Sequence, residues 1–510
     1  MTSKLIKPFM LMLLLTLSTQ FFGLIKNVFI AKIFGVGAEV DAYNLANTYT
    51  ISITNLAIPA IIVVLIPFLT KRGDSVAERA AINTYVSVLL LVIALAVGIG
   101  IGSLSWVLKN QHGLSESLTI TLSIIMILST AQVYRVLTAV LTAFRQVEND
   151  FLTAKIATLC GTILSSIYII VAQSPSILLV SLFLTISFML EATILLVRNR
   201  GFGFRIQFKW GNRIFRKLIQ QTGPVVFNSI VSQVSLLLSI TLASFIGQGY
   251  VATLGYANQI LSIIQALILV NILTITYPSM SRIFAKTTAV GKELFIKYAI
   301  VTNMLVIPLV IGIAVIGDLF TALLFERGAF TAADTKQVTL FMTVLGIGLP
   351  GLVLRDFIYR IYFCLDDTKT PSRISVITII VNVLLLLILT PIFNIYAVLF
   401  IPGFMNFVSA WFAYRLLEKR IGRIDARHKL VKQQLLVVFN ASVMGVVLYY
   451  LKAYIHLSPI LGFLLLVVTG IVVYGAMVLL TQRRFIQALK MKGANNDEES
   501  VDNELGSPLE

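Results

Sequence analysis

Amide and ionisable side chains interrupt apolar stretches of this sequence at positions where lipid would penalise them. Within residues 19–55, one helical face of the first stretch would carry Thr19, Gln20, Gly23, Lys26 and Asn27. The next stretch has a similar face with Asp41, Asn44, Thr48, Ser52 and Asn55. Charged residues inside a membrane usually face a helix-bundle interior or a water-filled cavity. The two faces therefore predict a polar path across a membrane.

Four basic residues fall inside apolar segments: Lys26, Arg135, Arg355 and Arg360. A basic side chain at the bilayer centre costs roughly 2.5–3.5 kcal/mol, so these cations are expected to line a cavity that holds an anionic group, such as a pyrophosphate. Other interpretations stay open, because Lys26 and Arg360 could reach an interface and Arg355 could pair with Asp356. Arg135 is the strongest candidate, since its sequence neighbours are apolar.

Catalytic and metal chemistry are poorly supported by the residue pattern. The three histidines, His112, His428 and His456, have no metal-ligand or triad partner at a useful spacing. No Walker-type glycine loop precedes a Lys-Ser/Thr pair. The sequence therefore predicts a protein that is not an enzyme, binds no metal or cofactor, and is driven by membrane potential or an ion gradient. Candidates for ion coupling, by elimination, are Asp41, Glu191 and Asp356.

The composition is that of an all-α polytopic membrane protein. Of 510 residues, 58% are hydrophobic and 12% charged, against about 25% charged in soluble domains. The net charge of +17 comes from basic residues in every second short loop, which indicates membrane topology rather than nucleic-acid binding. We expect a multi-pass protein of the bacterial cytoplasmic membrane with both termini cytoplasmic, and a disordered acidic tail.

Apolar segments long enough to cross a bilayer, about 20 residues each, occur about fourteen times. The predicted spans are 8–34, 42–69, 82–107, 116–144, 152–173, 176–198, 217–246, 250–277, 294–324, 335–363, 371–393, 395–417, 431–452 and 457–481. The first lacks a convincing cleavage site, so we read it as an uncleaved helix.

The chain also repeats itself, because AKIFGVGAEVDAYNLAN (31–47) aligns with ASFIGQGYVATLGYAN (243–258). The shared glycines Gly35, Gly37, Gly247 and Gly249 are predicted gate or hinge positions. We expect two pseudo-symmetric six-helix lobes, related by an axis along the membrane normal, and an appended helix pair. The predicted domains are 1–198 (N-lobe), 199–216 (basic linker), 217–418 (C-lobe), 419–430 (basic loop), 431–482 (helices 13 and 14) and 483–510 (tail).

Two motifs go further than composition. FERGAFTAADTKQVT (325–339), followed by YRIYFCLDDTKTPSR (359–373), resembles the signature of the MurJ family of lipid II flippases, in the multidrug/oligosaccharidyl-lipid/polysaccharide exporter superfamily. The corner IAKIFGVGAEVDAY and the helix QQTGPVVFNSIVSQVSLLLSITLASFIGQG resemble the family too, and the likeness covers about residues 5–420. It implies fourteen helices, two lobes, alternating access and export of an undecaprenyl-pyrophosphate-linked saccharide. Contact with the cell-envelope synthesis machinery stays open.

The likeness has departures that bear on the cargo. Lys26 and Asp41 fall on a basic and an acidic family position, but Gln20, Gln259 and Ser262 stand where the family commonly has charged residues. Besides lipid II, another lipid-linked oligosaccharide of exopolysaccharide, capsule or teichoic type is an alternative, and a cation-coupled drug exporter a weaker one. The predicted cavity residues are Gln20, Lys26, Asp41, Asn44, Arg135, Asn228, Gln259, Arg355 and Arg360.

Overall fold

The computed structural model describes residues 3–70, 76–110, 115–148, 150–172, 175–198, 205–266, 271–365, 367–424, 429–455, 457–483, 485 and 487. Regular secondary structure in these residues is helical throughout. The helices are α1 (Ser3–Phe34), α2 (Ala38–Ala60), α3 (Ile66–Thr70), α4 (Val76–Asn110), α5 (Glu116–Val147), α6 (Phe151–Val171), α7 (Ile177–Arg198), α8 (Arg213–Ile246), α9 (Tyr250–Ile264), α10 (Asn271–Lys286), α11 (Thr288–Phe325), α12 (Ala332–Ile347), α13 (Leu349–Cys364), α14 (Lys369–Phe393), α15 (Ile395–Ile421), α16 (Lys429–Tyr454) and α17 (Pro459–Thr481).

Thirteen helical segments among the described residues are long and apolar enough to cross a membrane. They match thirteen of the fourteen predicted spans. The eighth, 250–277, contains α9 and the beginning of α10, and its residues 267–270 lie outside the described residues. The predicted all-α polytopic fold with about fourteen helices is therefore confirmed. A π-helix at Ile61–Leu65 joins α2 to α3 inside the second span.

The chain divides into two compact units. Unit 1 comprises Met1–Ile263, Leu324–Phe341 and Ser372–Ile401, and unit 2 comprises Ile264–Leu323, Met342–Pro371 and Pro402–Glu510. The predicted lobes, 1–198 and 217–418, stay a prediction.

In unit 1 the helices pack through small residues. Helix α2 packs on α5 and α8, α5 on α7, and α6 on both α1 and α7. Ala46, Ala131 and Ala157 are completely buried. Because lipid gives helices no hydrophobic reason to associate, close packing of small residues has to supply much of the attraction. A Cβ on Gly161 of α6 would lie 3.0 Å from the carbonyl oxygen of Ser187 in α7.

Unit 2 combines close packing with polar ties. Helix α16 packs on α17 and α10 packs on α13. A Cβ on Gly348 would lie 2.4 Å from Cα of Gly403, so the start of α13 nearly touches α15. The Lys452 amine lies 2.6 Å from both carboxylate oxygens of Asp318, which ties α16 to α11.

Each unit contains an Asp-x-x-Thr helix cap held by an arginine. Asp150 accepts hydrogen bonds from the Thr153 amide (3.1 Å) and hydroxyl (2.6 Å) at the start of α6, and Arg145 pairs with it at 3.0 Å. Asp367 likewise accepts from the Thr370 amide (2.9 Å) and hydroxyl (2.7 Å) and pairs with Arg420. The same local solution therefore occurs in both units.

These contacts keep the carboxyl groups of Asp150 and Asp367 ionised at neutral pH. Burial alone would raise the pKa of each carboxyl. The hydrogen bonds from threonine and the arginine charge outweigh burial, so the pKa of Asp150 and that of Asp367 lie below the ordinary aspartate value.

The FERGAFT turn, which carries the family resemblance, docks on the end of α1 within unit 1. The Ala329 amide donates to the Lys32 carbonyl oxygen at 2.8 Å. Gly328 has φ +63°, and a Cβ there would lie 2.2 Å from the same carbonyl oxygen. Gly35 has φ +60°, and its Cβ would lie 2.5 Å from the Ala329 carbonyl oxygen. Both contacts require glycine, for backbone conformation and for space.

We predict that Gly328→Ala lowers the free energy of unfolding by more than about 2 kcal/mol, because it adds left-handed strain to a backbone clash. The matched control is Gly102→Ala in α4, where no neighbouring atom lies within 4 Å. That change should leave stability equal or raise it by up to about 1 kcal/mol through helix propensity. Thermal unfolding in detergent measures both; equal melting temperatures for the two variants would contradict the docking of the turn on α1.

Candidate functional site

The two glycine corners predicted from the repeat meet within unit 1, and Asp41 joins them. Its carboxylate accepts from the Gly249 amide at 2.5 Å and from the Ala252 amide at 2.6 Å. These amides stand at the start of α9, where no intrahelical carbonyl can reach them. The negative charge also complements the positive end of the helix dipole. Asp41 of α2 therefore caps α9, a helix more than 200 residues away in sequence.

Aromatic packing completes this contact. The Tyr256 hydroxyl donates to the Gly35 carbonyl oxygen at 3.0 Å, and the Tyr256 ring lies 5.2 Å from Phe325 and 5.7 Å from Phe330. A Cβ on Gly249 would lie 2.9 Å from Val36. We call Gly35, Asp41, Gly249, Tyr256 and Ala329 the corner cluster. Of the other predicted hinge residues, Gly37 precedes α2 and Gly247 follows α8.

The polar face of α2 continues onto α8 and α9. The amide of Asn44 fits against Gly255, where a Cβ would lie 2.4 Å from Asn44 Nδ2. Farther along, the hydroxyls of Tyr49 and Thr241 form a hydrogen bond. On the predicted polar stripe itself, Asp41 and Asn44 contact α9, and Asn55 Nδ2 donates to Gln233 Oε1 of α8 at 3.3 Å. At these three positions the stripe is an interhelical contact surface.

The polar face of α8 contacts α14. The sequence alone predicted no functional role for α14. Asn228 Nδ2 donates to Ser372 Oγ at 2.7 Å, and Asn382 Nδ2 donates to Ser235 Oγ at 2.7 Å. A usable signal was present in the sequence, because Ser372, Ser375 and Asn382 share one helical face.

Arg135 lies half-buried in unit 1 beside a carboxylate from another helix. Its guanidinium lies 4.9 Å from the centre of the Phe188 ring and makes a long hydrogen bond, 3.5 Å, to Gln132. Glu191 of α7 attracts it electrostatically. The Glu191 side chain is buried and accepts a 2.6 Å hydrogen bond from the Thr158 hydroxyl. Folding therefore supplies the acidic neighbour that the local sequence lacks.

Arg355, in unit 2, has most of its donors engaged. Its Nε and Nη2 donate to Asp356 Oδ1 at 3.1 and 2.9 Å, and Nη1 donates to Asn406 Oδ1 at 2.8 Å. This geometry is the ion-pair network that the sequence left open as an alternative. Arg360 lies half-buried on the same helix, α13.

The remaining predicted cavity residues lie in unit 1. Gln20 and Lys26 are half-buried on α1, and Gln259 is half-buried on α9. No hydrogen-bond or ion-pair partner for Lys26 occurs among the residues that the structure describes. Within that part of the chain there is also no group of three or more His, Cys, Asp or Glu placed to hold a metal ion.

An apolar cavity of about 590 Å³ lies in unit 2 between α11, α16 and α17. Among the residues that line it are Met304, Pro308, Met444, Phe463 and Tyr474. The cavity suits a hydrocarbon chain. Sequence reasoning missed it because apolar residues facing a cavity look the same in sequence as those facing lipid.

Comparison with known proteins places these features in a family. The sequence model described as "Lipid II flippase MurJ" matches residues 30–470. A probable lipid II flippase MurJ of Rickettsia prowazekii is 26% identical over 385 residues, covering 72% of this chain and 75% of the relative. A lipid II flippase MurJ of Burkholderia cenocepacia is 28% identical over 168 residues, 33% of each chain.

Solved structures agree on the fold. A lipid II flippase MurJ in an inward closed conformation superposes with a TM-score of 0.80 at 19% identity, covering 94% of this chain and all of the other. An inward-facing multidrug resistance MATE transporter of the MOP superfamily gives 0.63 at 12% identity, covering 80% of this chain and 96% of the other. Because the family match extends over most of its length, this multi-pass membrane protein belongs to the lipid II flippase MurJ family.

Proposed function

We propose that this protein moves lipid II, an undecaprenyl-pyrophosphate-linked saccharide, from the inner to the outer leaflet of the bacterial cytoplasmic membrane by alternating access. The observation that carries the proposal is the family match over residues 30–470. The family consists of transporters, not enzymes. Both termini lie on the cytoplasmic side in this proposal, following the alternation of basic loops.

We assign different residues to the three parts of the substrate, which are the pyrophosphate, the sugars and the polyprenyl chain. Lys26 and Arg135 hold the pyrophosphate, because each is a half-buried cation and phosphate oxygens accept charge-assisted hydrogen bonds. Amides such as Asn44 and Asn228 contact the sugars. The apolar cavity of unit 2 is a separate candidate site for a hydrocarbon chain, for which apolar burial of about 25 cal/mol per Å² is the driving force. Arg355 contributes only if substrate displaces Asp356 or Asn406 from its guanidinium.

The corner cluster acts as a gate in this proposal. Alternating access requires one end of the path to close while the other opens. Asp41 holds the α9 amides with two short hydrogen bonds, so opening this end must break them. Predicted topology places the cluster on the outer side.

Energy for transport comes from membrane potential or an ion gradient in this proposal. A potential of 100 mV supplies about 2.3 kcal/mol for each elementary charge moved across the membrane. Glu191 is a candidate for ion coupling because it interacts electrostatically with Arg135. Asp41 and Asp356 are the other candidates.

A second candidate is a flippase for another lipid-linked oligosaccharide. It is favoured by Gln20, Gln259 and Ser262, uncharged residues at positions where the family resemblance implies charge. The contacts of Arg355 with Asp356 and Asn406 also favour this second candidate, because they lower the number of cations available to a pyrophosphate.

Depletion of the protein separates the two candidates. We expect lipid II to accumulate in the inner leaflet, protected from a membrane-impermeant reagent that modifies its headgroup, because no flippase exposes it outside. Lipid extraction followed by mass spectrometry measures the modified and unmodified fractions. Unchanged lipid II exposure with loss of an extracellular polysaccharide would overturn the lipid II assignment and support the second candidate.

We predict that Lys26→Ala and Arg135→Ala each abolish complementation of a depleted strain. Lys26→Ala should leave protein level and melting temperature near wild type, whereas Arg135→Ala also leaves the buried Glu191 carboxylate without its cation and should lower the melting temperature. Each change removes a cation from the path without opening a tightly packed core. The control is Arg415→Ala, since Arg415 is exposed on α15 and should be dispensable. Wild-type growth of both cavity variants would refute pyrophosphate binding by these cations.

We predict that Asp41→Asn loosens the corner cluster, because the neutral amide offers one acceptor where the carboxylate offers two. Hydrogen bonds to a charged group contribute about 1.5–3 kcal/mol, so the open fraction should rise about tenfold or more. The probe is Val251→Cys, completely buried in α9, with Cys160 and Cys364 replaced by Ser; maleimide labelling in detergent gives the rate.

Glu39→Gln is the matched control for this experiment. Glu39 lies in the same first turn of α2 but is exposed, so its loss should leave the labelling rate unchanged. Equal rates for the Asp41 variant and the parent would show that Asp41 does not hold the corner closed.

A further inference from the structure

A basic pocket lies at the end of unit 2 where α11 begins and α15 ends. Its volume is about 770 Å³. The charged residues that line it are four bases and one acid: Lys292, Arg420, Arg423, Lys429 and Glu293. None of these residues belongs to the predicted substrate path. The excess of positive charge in a concave site indicates an anionic ligand.

The walls of this pocket are held in place by specific contacts. The Lys292 amine donates to the carbonyl oxygens of Ile421 at 2.5 Å and Arg423 at 3.2 Å, which fixes α11 to the end of α15. The Ile424 amide donates to Glu418 at 3.3 Å, which holds the turn that follows α15. These contacts fix Lys292 and the turn after α15 within the fold itself, so this part of the site is preorganised for binding.

Arg420 is held by an ion pair, whereas Lys292 is held by backbone carbonyl oxygens. Arg420 pairs with Asp367, the residue that caps α14 through Thr370. An anion in the pocket would compete with Asp367 for this guanidinium. Occupancy of the pocket is therefore coupled to the contact between the end of α15 and the cap of α14, both in unit 2.

The rest of the lining indicates what kind of anion fits. Ile296, Ile421 and Ile424 line the pocket beside the cations, and Ile296 and Ile424 are buried. Helices α11 and α15 are both candidate membrane spans, so their ends lie at a membrane surface. A soluble phosphate would use the cations alone, whereas a lipid headgroup would use the cations and the isoleucines together.

We propose that this pocket binds the phosphate headgroup of an anionic phospholipid. The phosphodiester lies against Arg423 and Lys429, and the first carbons of its acyl chains lie against the isoleucines. Basic clusters at the membrane surface attract anionic lipids, but this site adds a preformed cavity to the general attraction. The assignment does not depend on which saccharide the protein carries.

The test compares phosphatidylglycerol with phosphatidylcholine by native mass spectrometry of the full chain released from detergent. We expect wild type to retain phosphatidylglycerol in preference. Arg423→Gln combined with Lys429→Gln should weaken retention about tenfold or more, since each removes a charge at the membrane surface. Lys419→Gln combined with Lys432→Gln removes equal charge from exposed residues that do not line the pocket, and should retain the lipid. Melting temperatures of both double variants should equal that of wild type.

Three results would each overturn the proposal. Equal loss in the two double variants would mean diffuse surface charge instead of a site. Displacement of the lipid by millimolar inorganic phosphate would mean that the pocket takes a soluble anion. Residues 493–510 contain six acidic and no basic residues; if their removal alone created phosphatidylglycerol binding, the pocket's occupant in the intact chain would be this segment.

Discussion

The hydrocarbon interior of a bilayer offers no hydrogen bonds, so every polar group in a membrane span needs a partner. The rest of this structure depends on that constraint. In hydrocarbon an unpaired polar group costs several kcal/mol, so each polar residue in a span must find a protein partner, a water-filled cavity or a substrate. Asp41 is the strongest case, because it meets this need with the free amides of another helix. The charge that makes Asp41 costly in lipid is the same charge that makes the α2–α9 contact strong.

This constraint gives the polar stripes a double role. In the described state, Asn228 donates a hydrogen bond to Ser372 and Asn55 donates one to Gln233. A transporter must release such contacts to admit a sugar headgroup and then form them again. Hydrogen bonds between neutral side chains suit this exchange, since the net contribution of each is only about 0.5–1.5 kcal/mol. In the proposed function, the stripes therefore close the path with contacts that break easily, whereas the contact of Asp41 with the α9 amides sets a higher barrier at one end.

Sequence predicted the elements well and their partners poorly, for a physical reason. Span length and loop charge are local properties, so thirteen of fourteen spans could be placed. Residues 267–270 of the eighth predicted span, 250–277, lie outside the part of the chain that the structure describes. The Glu191 neighbour of Arg135 lies on another helix, and the Lys32–Ala329 contact joins residues about 300 apart. Spacing along one helix carries no information about which face of another helix it meets.

The predicted cavity cations differ in how far they are already neutralised, and this difference bears on the proposed cargo. Arg355 has Asp356 and Asn406 as partners, and Arg135 is balanced by Glu191, while Lys26 lies where no described partner is in range. A pyrophosphate brings more than one negative charge and gains most from cations that are not yet paired. In the proposed function, Lys26 therefore contributes most to the first capture of the headgroup, and Arg135, also in unit 1, contributes only as Glu191 is displaced from it. In the same proposal, such unpaired charge favours a strongly charged headgroup over a neutral substrate.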